Sequence, residues 1–179
     1  MAKYQLQIQN LELRHPGVSK GVAASYYEAA SVCLHRHHVS PKNFVLRRIS
    51  EAQAIASWQE PDERLLRAWA NEIDATESGA YCMALAAVEI TDNLVAVARA
   101  ETRTGADYYL APIGEDLADL ESSHRLEVSG IDQGSDSGVE VRLRQKIKQA
   151  IAGNNNLPAI AAVVSFSGGV VMLADAIDK

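Results

Sequence analysis

The stretch HRLEVSG, residues 124–130, has the pattern of a short β-strand in which Leu126 and Val128 face a core while Glu127 and Ser129 share the other face. Side chains at i and i+2 of a strand point the same way, so this carboxylate and this hydroxyl stand together. A second run, ADYYLAP at 106–112, sets Asp107 and Tyr109 on one face and Tyr108 and Leu110 on the other. If the two strands pair, they lie about 4.7–4.9 Å apart and Asp107 stands beside Glu127. Carboxylates that close repel unless positive charge sits between them. Oxygen ligands of this kind suit Mg²⁺, which keeps waters and takes one or two carboxylates together with phosphate oxygens. A cation held there can activate water and neutralise charge developing on a phosphodiester.

Working outward, the Ala-rich run from Gly79 to Ile90 reads as a tightly packed helix, opened by a capping box at Asp74-Ala-Thr-Glu77 and closed by Asn93. LVAVARAE (94–101) is a β-rich run that precedes ADYYLAP. After HRLEVSG, Ser137-Gly-Val-Glu140 has the form of a capping box opening a helix with Val139, Leu143, Ile147 and Ile151 on one face, ended by Gly153. AIAAVVSF (159–166) and VVMLA (170–174) flank Ser167-Gly168-Gly169, a hairpin pattern. Residues 74–174 thus run helix, three strands, helix, strand, strand, which predicts an α/β fold with a mixed central sheet flanked by helices.

The N-terminal part, residues 1–73, is expected to elaborate this core within a single domain spanning 1–179. Tyr4, Leu6 and Ile8 alternate with polar neighbours as in a half-buried strand, and Pro16-Gly17 stops the run. Ser19 caps a helix expected to reach about Val39, Ser40-Pro41 ends it, and NFVLRRI (43–49) reads as a short strand. Residues 50–73 look helical in pieces, broken at Pro61.

Composition sets the outer bounds. A chain of 179 residues with 47% hydrophobic and 22% charged residues has the balance of a globular domain able to bury a sheet on both sides. Its apolar runs are too short to span a bilayer and the Met-Ala-Lys-Tyr start carries no signal-peptide pattern, so the expected location is cytoplasmic, away from membranes. Cys33 and Cys82 read as reduced core residues. The net charge of −6 opposes non-specific avidity for nucleic acid. Basic residues nevertheless cluster locally, with Arg36, His38, Lys42, Arg47 and Arg48 in one segment and Arg142, Arg144, Lys146 and Lys148 along the second core helix.

Taken together, Asp107 introduced by Thr104-Gly105-Ala106, then Glu127-Val-Ser129, on the second and third strands of a helix-strand-strand-strand-helix-strand order, resembles the PD-(D/E)XK nuclease superfamily over residues 74–174. The resemblance implies a restriction-endonuclease-like core in which Asp107 and Glu127 bind Mg²⁺ or Mn²⁺. A further acid is implied from the first helix, Glu77 or Glu89. The pattern departs at Ser129, where a lysine is expected: a hydroxyl bonds water but supplies no positive charge. The helix beyond offers Arg142, Gln145, Lys146 and Gln149 on the side opposite its apolar stripe, and Lys146 is the preferred substitute cation.

Plainer readings stand beside these. An Asp after Gly is commonly a turn residue, and Glu with Ser on one strand face is commonly a solvated face. His35 and His38 at i, i+3 invite a metal reading, but no Cys or Asp stands at ligand spacing, and a helix C-terminus favours such cations through its dipole. No Walker-type phosphate loop and no G-x-S-x-G nucleophile elbow occurs in the chain. Trp58 and Trp69, in segments read as helical, are packing residues.

Two functions follow as expectations. One is a metal-dependent nuclease acting on DNA, with Arg142, Arg144, Lys148, Arg36 and His38 contacting phosphates. The other is a non-catalytic protein of the same fold that binds a basic protein partner as an accessory or inhibitory subunit, favoured by Ser129, the net acidity and the acidic segment 114–123. A homo-oligomer formed through an exposed hairpin at 166–170 is compatible with either.

Overall fold

Apolar alternation along the chain's strands resolves into one continuous mixed sheet. The structure, a computed structural model, describes residues 3–102, 104–115, 123–153 and 156–176. Strands β1 (Lys3–Leu6), β2 (Lys42–Arg47), β3 (Glu51–Ala56), β4 (Leu94–Arg99), β5 (Tyr108–Pro112), β6 (His124–Ile131), β7 (Ala159–Ser165) and β8 (Val170–Asp175) form an eight-stranded sheet in the order β1-β3-β2-β8-β7-β6-β5-β4. The β4-β5-β6 meander is antiparallel, β6 and β7 are parallel, and β7 and β8 form the antiparallel hairpin expected around Ser167-Gly168-Gly169. The N-terminal strands join the same sheet, β2 lying parallel to β8. Every residue of β7 is buried, as befits a central strand covered on both faces.

Helices cover the two faces. On one side α1 (Lys20–His37) and α3 (Glu72–Asp92) pack together through small buried residues, among them Ala30, Cys33, Ala80 and Ala84. They meet the sheet at Leu126, Val128, Ile160, Ala162 and Val164. On the other side α4 (Asp136–Ala152) lays Val139 and Leu143 over Val163, Val170 and Met172. The odd-numbered residues of β6 therefore face α4 and the even-numbered ones face α3, an arrangement imposed by the strand period of two. Cys33 and Cys82 are free and buried, and burial pushes the Cys33 thiol up to about 12. Among the described residues no helix is long and apolar enough to cross a membrane.

Several local expectations are revised. Glu51–Ala56 is strand β3, not helix: Ala52, Ala54 and Ala56 alternate, and pairing with β2 and β1 outweighs the helical preference of alanine. Only α2 (Glu63–Ala68), capped by Asp62, is helical after Pro61. Trp58 is buried just past β3, and Trp69 ends α2 with its indole N–H donated to Glu28. Helix α3 starts before the Asp74 box, with the Asn71 side chain accepting from the backbone N–H groups of Ile73 and Asp74. Helix α4 is capped by Ser135, two residues ahead of Ser137. Ser19 does cap α1.

The 166–170 hairpin is covered: Phe166 and Val170 are buried, the Phe166 carbonyl bonds His38, and Gly169 pairs through its carbonyl with Val45 N. It offers little apolar surface for self-association. Of the acidic segment 114–123, residues 116–122 lie outside the described residues.

Candidate functional site

The register Tyr108↔Leu126 sets Asp107 opposite Glu127, one step beyond the start of β5. Strand β6 continues past that point, paired only with β7, so the Val128 N–H has no strand partner on the β5 side. Asp107 supplies one: its Oδ2 accepts from Val128 N at 2.8 Å, and its own N–H donates to the Leu126 carbonyl at 2.7 Å. Gly105 makes the approach. It adopts φ +66°, and a Cβ there would stand 2.8 Å from the Gln149 carbonyl of α4, so only glycine suits both the backbone and the space.

Facing Asp107 is a cleft of about 790 Å³ between α3 and α4, lined among others by Glu77, Tyr81, Asp107, Ser129, Arg142 and Lys146. Lys146 is not on the side of α4 opposite the apolar stripe: it shares the side of the buried Val139 and Ala150 and reaches the sheet, its Nζ 2.7 Å from Glu127 Oε1. Both side chains are largely buried. Burial pushes the Glu127 carboxyl above its ordinary range, the Lys146 ammonium opposes that, and the neighbouring Asp107 carboxylate adds to it, leaving the net direction upward. Each acid has its own cation, Lys146 on Glu127 and Arg99 on Asp107 at 3.4 Å. Among the described residues, however, no group of three His, Cys, Asp or Glu side chains stands close enough to hold a metal ion.

Glu77 lines this cleft and Glu89 does not. Glu89 lies three turns further along α3, roughly 18 Å at 1.5 Å per residue. There its carboxylate accepts from Arg14 Nε at 2.8 Å and faces His15 Nε2 at 2.6 Å. His15 is fully buried, and its Nδ1 accepts the Ala96 N–H, which leaves the proton on Nε2 for Glu89. Burial raises the Glu89 carboxyl, His15 and Arg14 lower it, and the net direction is downward. This is a buried structural anchor for β4, not a cation ligand of the cleft.

The expected phosphate contacts divide. Arg142 lines the cleft one turn from Lys146, whereas Arg144 and Lys148 are exposed elsewhere on α4. Arg36 is tied to Asp132, a cleft residue, at 2.5 Å. His38 bonds the Phe166 carbonyl at 2.7 Å, and burial lowers its pKa, so it serves the end of α1 as a neutral ring.

Three residues that matter here were missed in the sequence. Tyr81, one turn after Glu77 on α3, donates to Asp107 Oδ1 at 2.9 Å. Arg99, at the end of β4, donates to Tyr81 Oη at 3.1 Å. Arg125 is buried and donates to the carbonyls of Thr104, Ala150, Gly153 and Leu157. It thus ties the loop carrying Asp107 to the end of the helix carrying Lys146, satisfying helix C-terminal carbonyls with a cation. A tyrosine sharing the Glu77 face of an Ala-rich helix was the readable signal; an arginine within HRLEVSG was another.

No family model, curated protein or solved structure matches the chain, and the functional reading therefore rests on the geometry of this cleft.

Proposed function

We propose that the chain is a metal-dependent nuclease of PD-(D/E)XK type that hydrolyses DNA phosphodiesters, with Lys146 standing in for the lysine that Ser129 replaces. The observation that carries this reading is the Lys146 ammonium, 2.7 Å from Glu127 Oε1 in the cleft that Asp107 and Ser129 also line. The element order supports it: a helix, a three-stranded antiparallel meander, a second helix and a strand parallel to the third.

The donor set fits a hard divalent cation. Asp107 and Glu127 present adjacent carboxylates, the first beside Arg99 at 3.4 Å and the second beside Lys146 at 2.7 Å, and burial is the main cause of the upward shift of Glu127. Mg²⁺ takes one or two carboxylates and fills its remaining positions with water and phosphate oxygens, so two acids suffice. Held by Asp107 and Glu127, such a cation would supply charge neutralisation at a phosphate and a more acidic water.

The chain's own groups do the positioning. Lys146 holds Glu127 with one N–H and has two more for a water or a non-bridging phosphate oxygen. Arg142, one turn away on the same helix, suits a neighbouring phosphate. Ser129 can donate or accept a bond to water but adds no charge. Mn²⁺ and Mg²⁺ titration into wild type and Asp107→Ala, with DNA incubation of the same samples, tests the proposal. Cation uptake and cleavage lost together in the variant support it; cleavage retained by Asp107→Ala overturns it.

A second reading, an accessory or inhibitory protein that binds a basic partner without catalysis, is favoured by the acids at the cleft, where Glu72, Glu77 and Asp132 stand beside the cations. Binding to duplex DNA that weakens with salt supports the first reading. Tight binding to a basic protein with no DNA affinity supports the second.

A further inference from the structure

The Asp107 carboxylate is gripped from its protein side. Oδ2 accepts from Val128 N, and Oδ1 accepts from Tyr81 Oη at 2.9 Å, with Arg99 Nη2 at 3.4 Å. Arg99 can only donate, so the Tyr81 hydroxyl accepts from Arg99 and gives its single proton to Asp107. The phenol cannot swing away. The Arg99 guanidinium covers its ring at 4.5 Å, and the rings of Tyr26 and Tyr108 flank it at 5.2 and 6.0 Å. Arg99 also covers Tyr108 at 4.8 Å, and the Tyr26 and Tyr108 hydroxyls bond each other at 2.7 Å.

We propose that Tyr81 is a positioning residue for a divalent-cation site at Asp107, its hydroxyl fixing the carboxylate in the binding orientation while Arg99 holds the hydroxyl in place. This rests on the reading of Asp107 and Glu127 as cation ligands. Asp107 Oδ1 accepts from Tyr81 and Arg99, whereas Oδ2 accepts from Val128 N and keeps lone-pair capacity for a cation. Hydrogen-bond partners behind a ligating carboxylate commonly set metal affinity by about 10–100-fold. A phenol serving only as packing would do none of this, because removing its oxygen leaves the ring in place.

The test is calorimetric titration of Mn²⁺ into wild type, Tyr81→Phe and Tyr109→Phe. Tyr109 is the control: its hydroxyl donates to Glu101 at 3.1 Å, away from the cleft. The expected result is a dissociation constant raised about 10–100-fold in Tyr81→Phe, unchanged in Tyr109→Phe, with the same stoichiometry at saturating Mn²⁺. The Mn²⁺-induced rise in Tm should shrink in step, while the metal-free Tm stays near wild type. Arg99→Lys, which keeps the positive charge beside Asp107 but loses the guanidinium that covers the Tyr81 ring, provides a second variant should Tyr81→Phe fold poorly, with a smaller loss in the same direction. Wild-type uptake with unchanged affinity in Tyr81→Phe and Arg99→Lys overturns the role of Tyr81 alone. No uptake by wild type overturns it together with the cation reading.

Discussion

The Lys146 ammonium of α4 lies 2.7 Å from Glu127 Oε1 of β6, so a cation reaches the sheet from the helix even though the strand carries Ser129 two residues beyond Glu127. The acid stands on the strand, and its ammonium partner comes from the helix.

If Lys146 does the work of a strand lysine, Lys146→Gln should reduce DNA cleavage by about 10²–10⁴-fold, the usual worth of a positioned proton-transfer or charge-stabilising group. Ser129 projects to the same face as Glu127, so Ser129→Lys added to Lys146→Gln should recover part of the loss. Single-turnover cleavage rates check both. A Lys146→Gln variant as fast as wild type would remove Lys146 from the mechanism.

Glu77 and Glu89 separate function from stability on one helix. Glu89→Ala leaves the buried His15 N–H without its acceptor and should cost about 1–3 kcal/mol, read by urea denaturation, with Mn²⁺ affinity unchanged. Glu77→Ala should do the reverse. The Glu89 carboxyl is depressed in the folded state, so its contribution is fully present above the unfolded value of about 4.3 and is lost as pH falls through the folded one. The stability gap between wild type and Glu89→Ala should therefore narrow on acidification below that unfolded value, and a gap independent of pH would remove the ionic part of this account.

At Gly130 strand β6 comes close to the backbone of α3. A Cβ built on it would lie 2.5 Å from the Thr76 carbonyl, which is backbone and cannot turn aside. Gly130→Ala should destabilise by about 1–3 kcal/mol, the usual cost of overpacking, and spread the cleft by shifting α3. A variant as stable as wild type in thermal unfolding would mean that α3 moves freely at this point.

Element order from α3 to β8 was legible because each element carried a strong periodic signal: alternation in ADYYLAP and HRLEVSG, an Ala-rich face in 79–90, a uniform apolar run in 159–166. The least legible segment was Glu51–Ala56, whose alanines favour a helix locally and are drawn into a strand by neighbours on either side. Helix starts were misread by two or three residues for a related reason: Asn71 and Ser135 compete with nearby Asp74 and Ser137, and packing of the first turn selects between them.

By itself the sequence determined the α/β class, the strand that carries Glu127 and the pairing that sets Asp107, one step before β5, opposite it, because a strand's period of two follows from local stereochemistry. Only the tertiary structure decided which cation meets Glu127, which α3 acid stands at the cleft, and that Tyr81, Arg99 and Arg125 hold the parts in place. Those choices depend on contacts between residues remote in sequence, such as Arg125 with Ala150 and Arg14 with Glu89. Their geometry is fixed by how the helices dock on the sheet, information that no local pattern of side chains contains.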